Sequence, residues 1–213
     1  GVDGHLGLEA VRFLQRSNVV IEPRRRWPQP GGLPKYHLNG NIRPDVRPEI
    51  GRALSIWGDS GWGARVRNGK YQERFFAEDL IHACMSMLEE WDPQPAPGWV
   101  TSIASDRYPD LVPSFAKRLA KELDLPYVST LACSQSSGER SAMANSVQRA
   151  RTLDGSMDID PSSVLEGPVL LVDDLVDTRW TMSIASWLLR SNGSGPVYPL
   201  ALAYMGWRTD QSN

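Results

Sequence analysis

Three carboxylates, two hydroxyls and an arginine crowd into one short run: Asp173, Asp174, Asp177, Thr178, Arg179 and Thr181. Adjacent ionised carboxylates are acceptor-only groups that suit the hydroxyls of a sugar, whereas hydroxyls beside the free amides of a helix start suit an anion. Together they predict a sugar phosphate, with Asp173 and Asp174 on the sugar and the 178–181 turn on the phosphate. Positioning them requires a strand, a tight turn and a helix in that order. Val169, Leu170, Leu171 and Val172, bounded by Gly167-Pro168 and the acid pair, read as a strand buried on both faces, as in a parallel sheet covered by helices. Residues 182–190 then place Met182, Ala185, Leu188 and Leu189 at helical spacing before the stop at Ser191-Asn192-Gly193. Ligands of open α/β sheets bind beyond the carboxyl ends of strands, where this turn would lie. The plain alternative is a buried strand followed by a capped helix.

The remaining chain supplies fewer candidates. Arg24, Arg25 and Arg26 beside Trp27 could clamp nucleic-acid phosphates, but three basic residues are more often a solvated or internally paired surface, and the chain carries a net charge of −2. That charge argues against a general polyanion binder. Cys84 and Cys133 stand far apart, with no Cys or His at ligand spacing, so neither zinc nor a disulfide framework is expected and a reducing cytoplasm fits. No apolar run approaches the roughly 20 residues of a membrane span. The run 63–71 has one residue too many between its glycines, and no Ser or Thr after Lys70, for a nucleotide P-loop. The eight tryptophans read as packing anchors.

Along the chain, Leu6, Leu8, Val11, Phe13 and Leu14 suggest a short helix, and Val19-Val20-Ile21 a strand. Residues 28–51, rich in Pro, Gly and Asn, predict an irregular connection, and residues 51–57 have helix-compatible composition. A core helix is expected between Phe75 and Trp91, with Leu80, Ile81, Cys84, Met85, Leu88 and Trp91 on its apolar face. Strands are expected at 99–104, 126–131 and 197–203, and a helix carrying Leu111, Phe115, Leu119 and Leu123. The expected organisation is an irregular adaptor over 1–62 and an α/β domain with an open parallel sheet flanked by helices over 63–213.

The run of four apolar residues, two acids and a small loop before Thr181 resembles the signature of type I phosphoribosyltransferases, except that Arg179 stands where that family has Gly. An Arg there either loosens the turn or adds a cation to the phosphate site. The likeness runs from about Phe75 to Tyr204 and implies further roles. Ser105, Asp106 and Arg107 fall on the loop that holds pyrophosphate in that family, with Arg107 the natural anion ligand and Asp106 facing away or reaching a metal. Ser134 to Ser141, followed by Asn145, Gln148 and Arg149, resembles the flap that closes over the site in the ComF-like branch; a plain surface loop is the alternative. Thr178, Arg179, Trp180 and Thr181 with Asp177 form the phosphate turn. Asp177 also occupies the position from which purine-salvage members contact the base, making it a candidate general acid/base, with a helix N-cap as the alternative.

A second resemblance spans nearly the whole chain: Ile21-Glu22-Pro23-Arg24 with Trp27-Pro28, Gly51-Arg52-Ala53-Leu54 with Gly61-Trp62-Gly63, residues 111–116, Asn145-Ser146, and 173–181. Together these look like the C-terminal region of bacterial RecQ-like DNA helicases of the H type, in which a phosphoribosyltransferase-like domain follows the motor and zinc modules. The resemblance implies a parent with ATP-dependent 3′-to-5′ unwinding, motor and zinc modules on the same polypeptide, and DNA as a partner through that parent. It also implies Mg²⁺ bound with phosphoribosyl pyrophosphate if the domain is active, with no metal site made by protein alone and no zinc in this segment. Catalysis would then rest on positioning and electrostatics, Asp173 and Asp174 fixing the sugar hydroxyls and Arg107 with Mg²⁺ offsetting leaving-group charge. Turnover, ligand binding without turnover, and a DNA- or protein-binding module remain open.

Overall fold

The computed structural model describes residues 18–104, 107–133 and 146–205. Its centre is a five-stranded sheet in the order β1-β2-β7-β6-β3, where β1 is Val19–Ile21, β2 Gly51–Ile56, β3 Trp99–Ser102, β6 Val169–Val176 and β7 Val197–Tyr204. All neighbours run parallel except β1, which pairs antiparallel with β2. A two-stranded ribbon, β4 (Leu131–Cys133) with β5 (Met157–Ile159), lies beside it. The helices are α1 (Trp62–Asn68), continued by a π-helical turn at Gly69–Glu73, α2 (Glu78–Trp91), α3 (Leu111–Glu122), α4 (Ser146–Thr152) and α5 (Trp180–Ser191). This is the expected open, largely parallel sheet flanked by helices.

Alternation along β6 divides the core. Val169 and Leu171 face α5 and the N-terminal segment, packing with Trp27, Leu33, Ile42, Val46, Trp180 and Ile184. Leu170 and Val172 face α1, α2 and α3, with Val66, Ile81, Cys84, Phe115 and Leu119. A strand buried on both sides therefore reads as a continuous apolar run, as its sequence does. The segment between β1 and β2 is irregular, with two short 3₁₀ turns at Pro34–Tyr36 and Pro44–Val46, yet it buries Trp27, Leu33 and Ile42 almost completely. Each such side chain contributes about 1.5–3 kcal/mol through burial, so the segment is part of the core.

Three expectations differ in detail. Residues 51–56 form a strand between β1 and β7, not a helix; the boundary expected at 62/63 falls after two strands of the same sheet. The strand expected at 126–131 is an extended segment whose Tyr127 bridges Val100 of β3 and whose Leu131 bridges Ile103 just beyond it, with regular pairing beginning only at Leu131. On α2 the buried stripe is Leu80, Ile81, Cys84 and Met87, while Met85, Leu88 and Trp91 lie at its margin. The helix expected near Val11 and the flap residues 134–145 lie outside the described residues.

Candidate functional site

Strand β6 ends at the residues that the sequence singles out. Asp173 is half-buried, and its Oδ1 accepts the backbone N–H of Asp174 at 2.8 Å. Asp174 is buried, 7% exposed, and both its oxygens meet Lys70 Nζ, at 2.9 and 2.7 Å. Lys70 rides on the π-helical turn after α1. Burial acts against its ammonium charge and is the largest single influence, but attraction and hydrogen bonding from Asp174, with help from Asp173 and Tyr71, outweigh it and raise the pKa above the ordinary lysine value.

After β6 the chain turns through Asp177, Thr178 and Arg179 into α5. Arg179 adopts φ 66° and ψ 1°, the left-handed conformation. The turn is thus as tight as a glycine would make it, at a cost of roughly 1–2 kcal/mol for a residue with a Cβ. Of the two alternatives for Arg179, the structure shows no loosening. Its Nη1 donates to the Glu22 carbonyl at 3.3 Å, and the residue also lines the cleft. Ser183 N–H donates to the Arg179 carbonyl at 3.0 Å, so the amides of Trp180, Thr181 and Met182 precede this first intrahelical bond. They are the amides that could receive an anion.

A cleft of about 350 Å³ opens at this end of the sheet. Asp173, Asp174, Asp177, Thr178, Arg179 and Thr181 line it together with Lys70, Arg107 and Arg149. Arg107, exposed on the loop after β3, is therefore brought to the same cleft as the acid pair, as its expected anion-binding role requires. Ser105, Asp106 and Asn145 lie outside the described residues. Arg149 enters from α4 and pairs with the Asp177 carboxylate; Gln148 is exposed on the same helix and does not line the cleft.

Three of the singled-out residues make contacts of their own. Asp177 has its Oδ2 against the Arg149 guanidinium, and the helix cap is Arg179, so this carboxylate braces α4 against the turn. Trp180 contributes only backbone to the turn: its indole is buried, and Nε1 donates to the Ser146 carbonyl at 3.0 Å and to its Oγ at 2.9 Å. Arg24 stacks its guanidinium 3.6 Å from the Trp180 ring centroid and donates to the Thr178 carbonyl at 2.9 Å. It therefore buttresses the turn from behind. Arg25 and Arg26 are exposed, Arg26 Nε donating to Asn41 at 3.2 Å.

Sequence reasoning missed Lys70, and the available signal was thin. Its run invites comparison only with a P-loop, and nothing local connects it to a carboxylate 104 positions away. Among the described residues no group of three or more His, Cys, Asp or Glu side chains could hold a metal ion, and no helix is long and apolar enough to cross a membrane.

No protein-family model matches the chain, and no curated protein matches it. Among solved structures it is similar to adenine phosphoribosyltransferase from Saccharomyces cerevisiae, determined with an imino-altritol bisphosphate and adenine, at 17% identity over 60% of this chain and 67% of that one, with a TM-score of 0.42. Adenine phosphoribosyltransferase from Thermoanaerobacter pseudethanolicus is similar at 15% identity over 92% and 99%, TM-score 0.40. Hypoxanthine phosphoribosyltransferase from Trypanosoma cruzi is similar at 16% identity over 70% and 68%, TM-score 0.38.

Proposed function

We propose that this chain is a phosphoribosyl-binding accessory domain carried by a RecQ-like, ATP-dependent 3′-to-5′ DNA helicase, which meets DNA through the motor and zinc modules of that polypeptide. One observation carries the ligand reading: the acid pair and the 178–181 turn line a single cleft at the carboxyl end of β6. In that reading the phosphate sits against the amides at the start of α5, with the Thr178 and Thr181 hydroxyls and the Arg179 charge around it. Asp173 accepts from the sugar hydroxyls, while Asp174 holds Lys70 beside them. The helicase attachment is supported by the quoted motifs, from Ile21-Glu22-Pro23-Arg24 to the 173–181 run.

Binding without turnover is the form of this proposal that the site favours. A general acid/base at Asp177 would need an unengaged carboxylate, and although Asp177 lines the cleft, Arg149 holds one of its oxygens. An active phosphoribosyltransferase is the second reading, favoured by the position of Arg107 on the cleft wall. Calorimetry with ribose 5-phosphate and with phosphoribosyl pyrophosphate, coupled to a pyrophosphate-release assay across a panel of bases, separates them. Heat of binding without release fits the accessory domain; release with any base selects the enzyme; no heat with either ligand removes both. For the attachment, the polypeptide containing this chain should hydrolyse ATP in response to DNA while the isolated chain should not.

A further inference from the structure

Asp174 is the buried acid among the three that line the cleft, and one ammonium engages both of its oxygens. Lys70 Nζ lies 2.9 Å from Oδ1 and 2.7 Å from Oδ2, and the two side chains are only 14% and 10% exposed. A divalent cation that joined a phosphosugar at the acid pair would have to be gripped by these oxygens. A divalent cation at Asp174 would sit within contact distance of a fixed positive charge, or would have to expel that charge into a largely closed site; like charges so close in a poorly hydrated setting repel strongly. Asp177, at the turn, is more exposed but also has one oxygen against the Arg149 guanidinium. Asp173 turns Oδ1 back onto the Asp174 amide. The carboxylates described here therefore do not fit Mg²⁺.

We infer that Lys70 takes the place of a divalent cation at the acid pair, so that this cleft holds a phosphoribosyl monophosphate, such as ribose 5-phosphate or a nucleoside 5′-monophosphate, without Mg²⁺. The balance of charge agrees. Among the described residues that line the cleft, Lys70, Arg107, Arg149 and Arg179 face Asp173, Asp174 and Asp177. The excess of one cation favours an anion such as a phosphate monoester at this cleft. Lys70 also remains protonated throughout the neutral range, because its attraction to Asp174 outweighs the effect of burial. The ammonium sits where a sugar hydroxyl reaching toward Asp174 would find a donor and a carboxylate side by side. Such an arrangement orients a diol as a hydrated metal would, but through a side chain that never leaves.

This inference rests on the phosphoribosyl reading of the cleft, and the test separates the two. Ribose 5-phosphate is titrated into the wild-type chain, Lys70→Met and Lys70→Arg, each in excess EDTA and in excess MgCl₂. The wild type is expected to bind equally in both, and Lys70→Arg to follow it. Lys70→Met is expected to bind at least about tenfold more weakly in EDTA, the scale of one charge-assisted contact, and to recover part of that loss when Mg²⁺ is supplied. A wild type that loses about tenfold or more in EDTA overturns the inference while leaving the phosphoribosyl reading intact. Lys70→Met binding as well as wild type in EDTA also overturns it. Absence of binding in either condition overturns the phosphoribosyl reading and this inference with it. Should Lys70→Met fail to fold, the wild-type comparison with and without Mg²⁺ still decides.

Discussion

Replacing Lys70 by Met keeps the length and apolar stem of the side chain and removes its charge, leaving Asp174 buried without its cation. Breaking one partner of a buried ion pair costs about 3–5 kcal/mol because the remaining charge is stranded. The pair here is 14% and 10% exposed, so some water reaches it and the expected loss is at or somewhat below that range's lower end, about 2–4 kcal/mol. The double variant Lys70→Met, Asp174→Leu removes both charges, and the two apolar side chains should recover all but about 1 kcal/mol of that loss. Urea unfolding followed by tryptophan fluorescence gives each free energy, provided that the slopes agree among variants. A Lys70→Met loss below about 0.5 kcal/mol, the level of an ordinary surface change, would refute the buried-pair reasoning. The pH dependence has a defined sign. The folded-state pKa of Lys70 lies above the ordinary 10.5, so its contribution is fully present below that pH and is lost as pH rises through the raised value. Wild-type stability should fall on the alkaline side, and Lys70→Met should fall less steeply. Tyr36, whose phenol is raised by burial, contributes in the same direction and should persist in the variant.

Other consequences can be measured on the same chain. Arg179→Gly should be close to neutral in stability, since relief of left-handed strain of roughly 1 kcal/mol is offset by the greater freedom of the unfolded chain, whereas Arg179→Val should be less stable than Arg179→Gly by about 1–2 kcal/mol in the same urea assay. Arg24→Ala removes the stack on Trp180 and the bond to the Thr178 carbonyl, and should destabilise by about 2 kcal/mol and weaken ribose 5-phosphate binding without entering the cleft; unchanged binding would dissociate Arg24 from the turn. Trp180→Phe deletes the donor to Ser146, and hydrogen exchange over 146–152 should quicken. The Cys84 thiol is wholly buried and its pKa is pushed up by that burial, so a thiol reagent should modify it only after unfolding.

The sequence was most legible where apolar runs and punctuation coincide. Four apolar residues between Gly-Pro and an acid pair announced β6, although the strand continues through Val176 because Asp173 and Leu175 still pair with Ala201 and Ala203 of β7. Residues 51–56 misled, since Arg, Ala and Leu form helices readily and only pairing with β1 and β7 makes them a strand. The site was legible as a set of ligand-facing groups on one turn, but its braces were not. Arg24 and Thr178 stand 154 positions apart, and Lys70 and Asp174 stand 104 apart. No local pattern predicts which cation a folded carboxylate will meet. Arg179 could be flagged as a departure, yet its left-handed geometry and contact with Glu22 depend on the fold around it.

The central claim is that a phosphate ester is received by the amides at the mouth of β6 and α5. A titration of the isotopically labelled chain with ribose 5-phosphate, read as backbone amide shifts, tests it most directly. Saturable shifts centred on Thr178, Arg179, Trp180, Thr181 and Met182, with smaller shifts at Asp173 and Lys70, are the predicted result. Shifts confined to the exposed Arg25 and Arg26 segment, or none at saturating ligand, would contradict it.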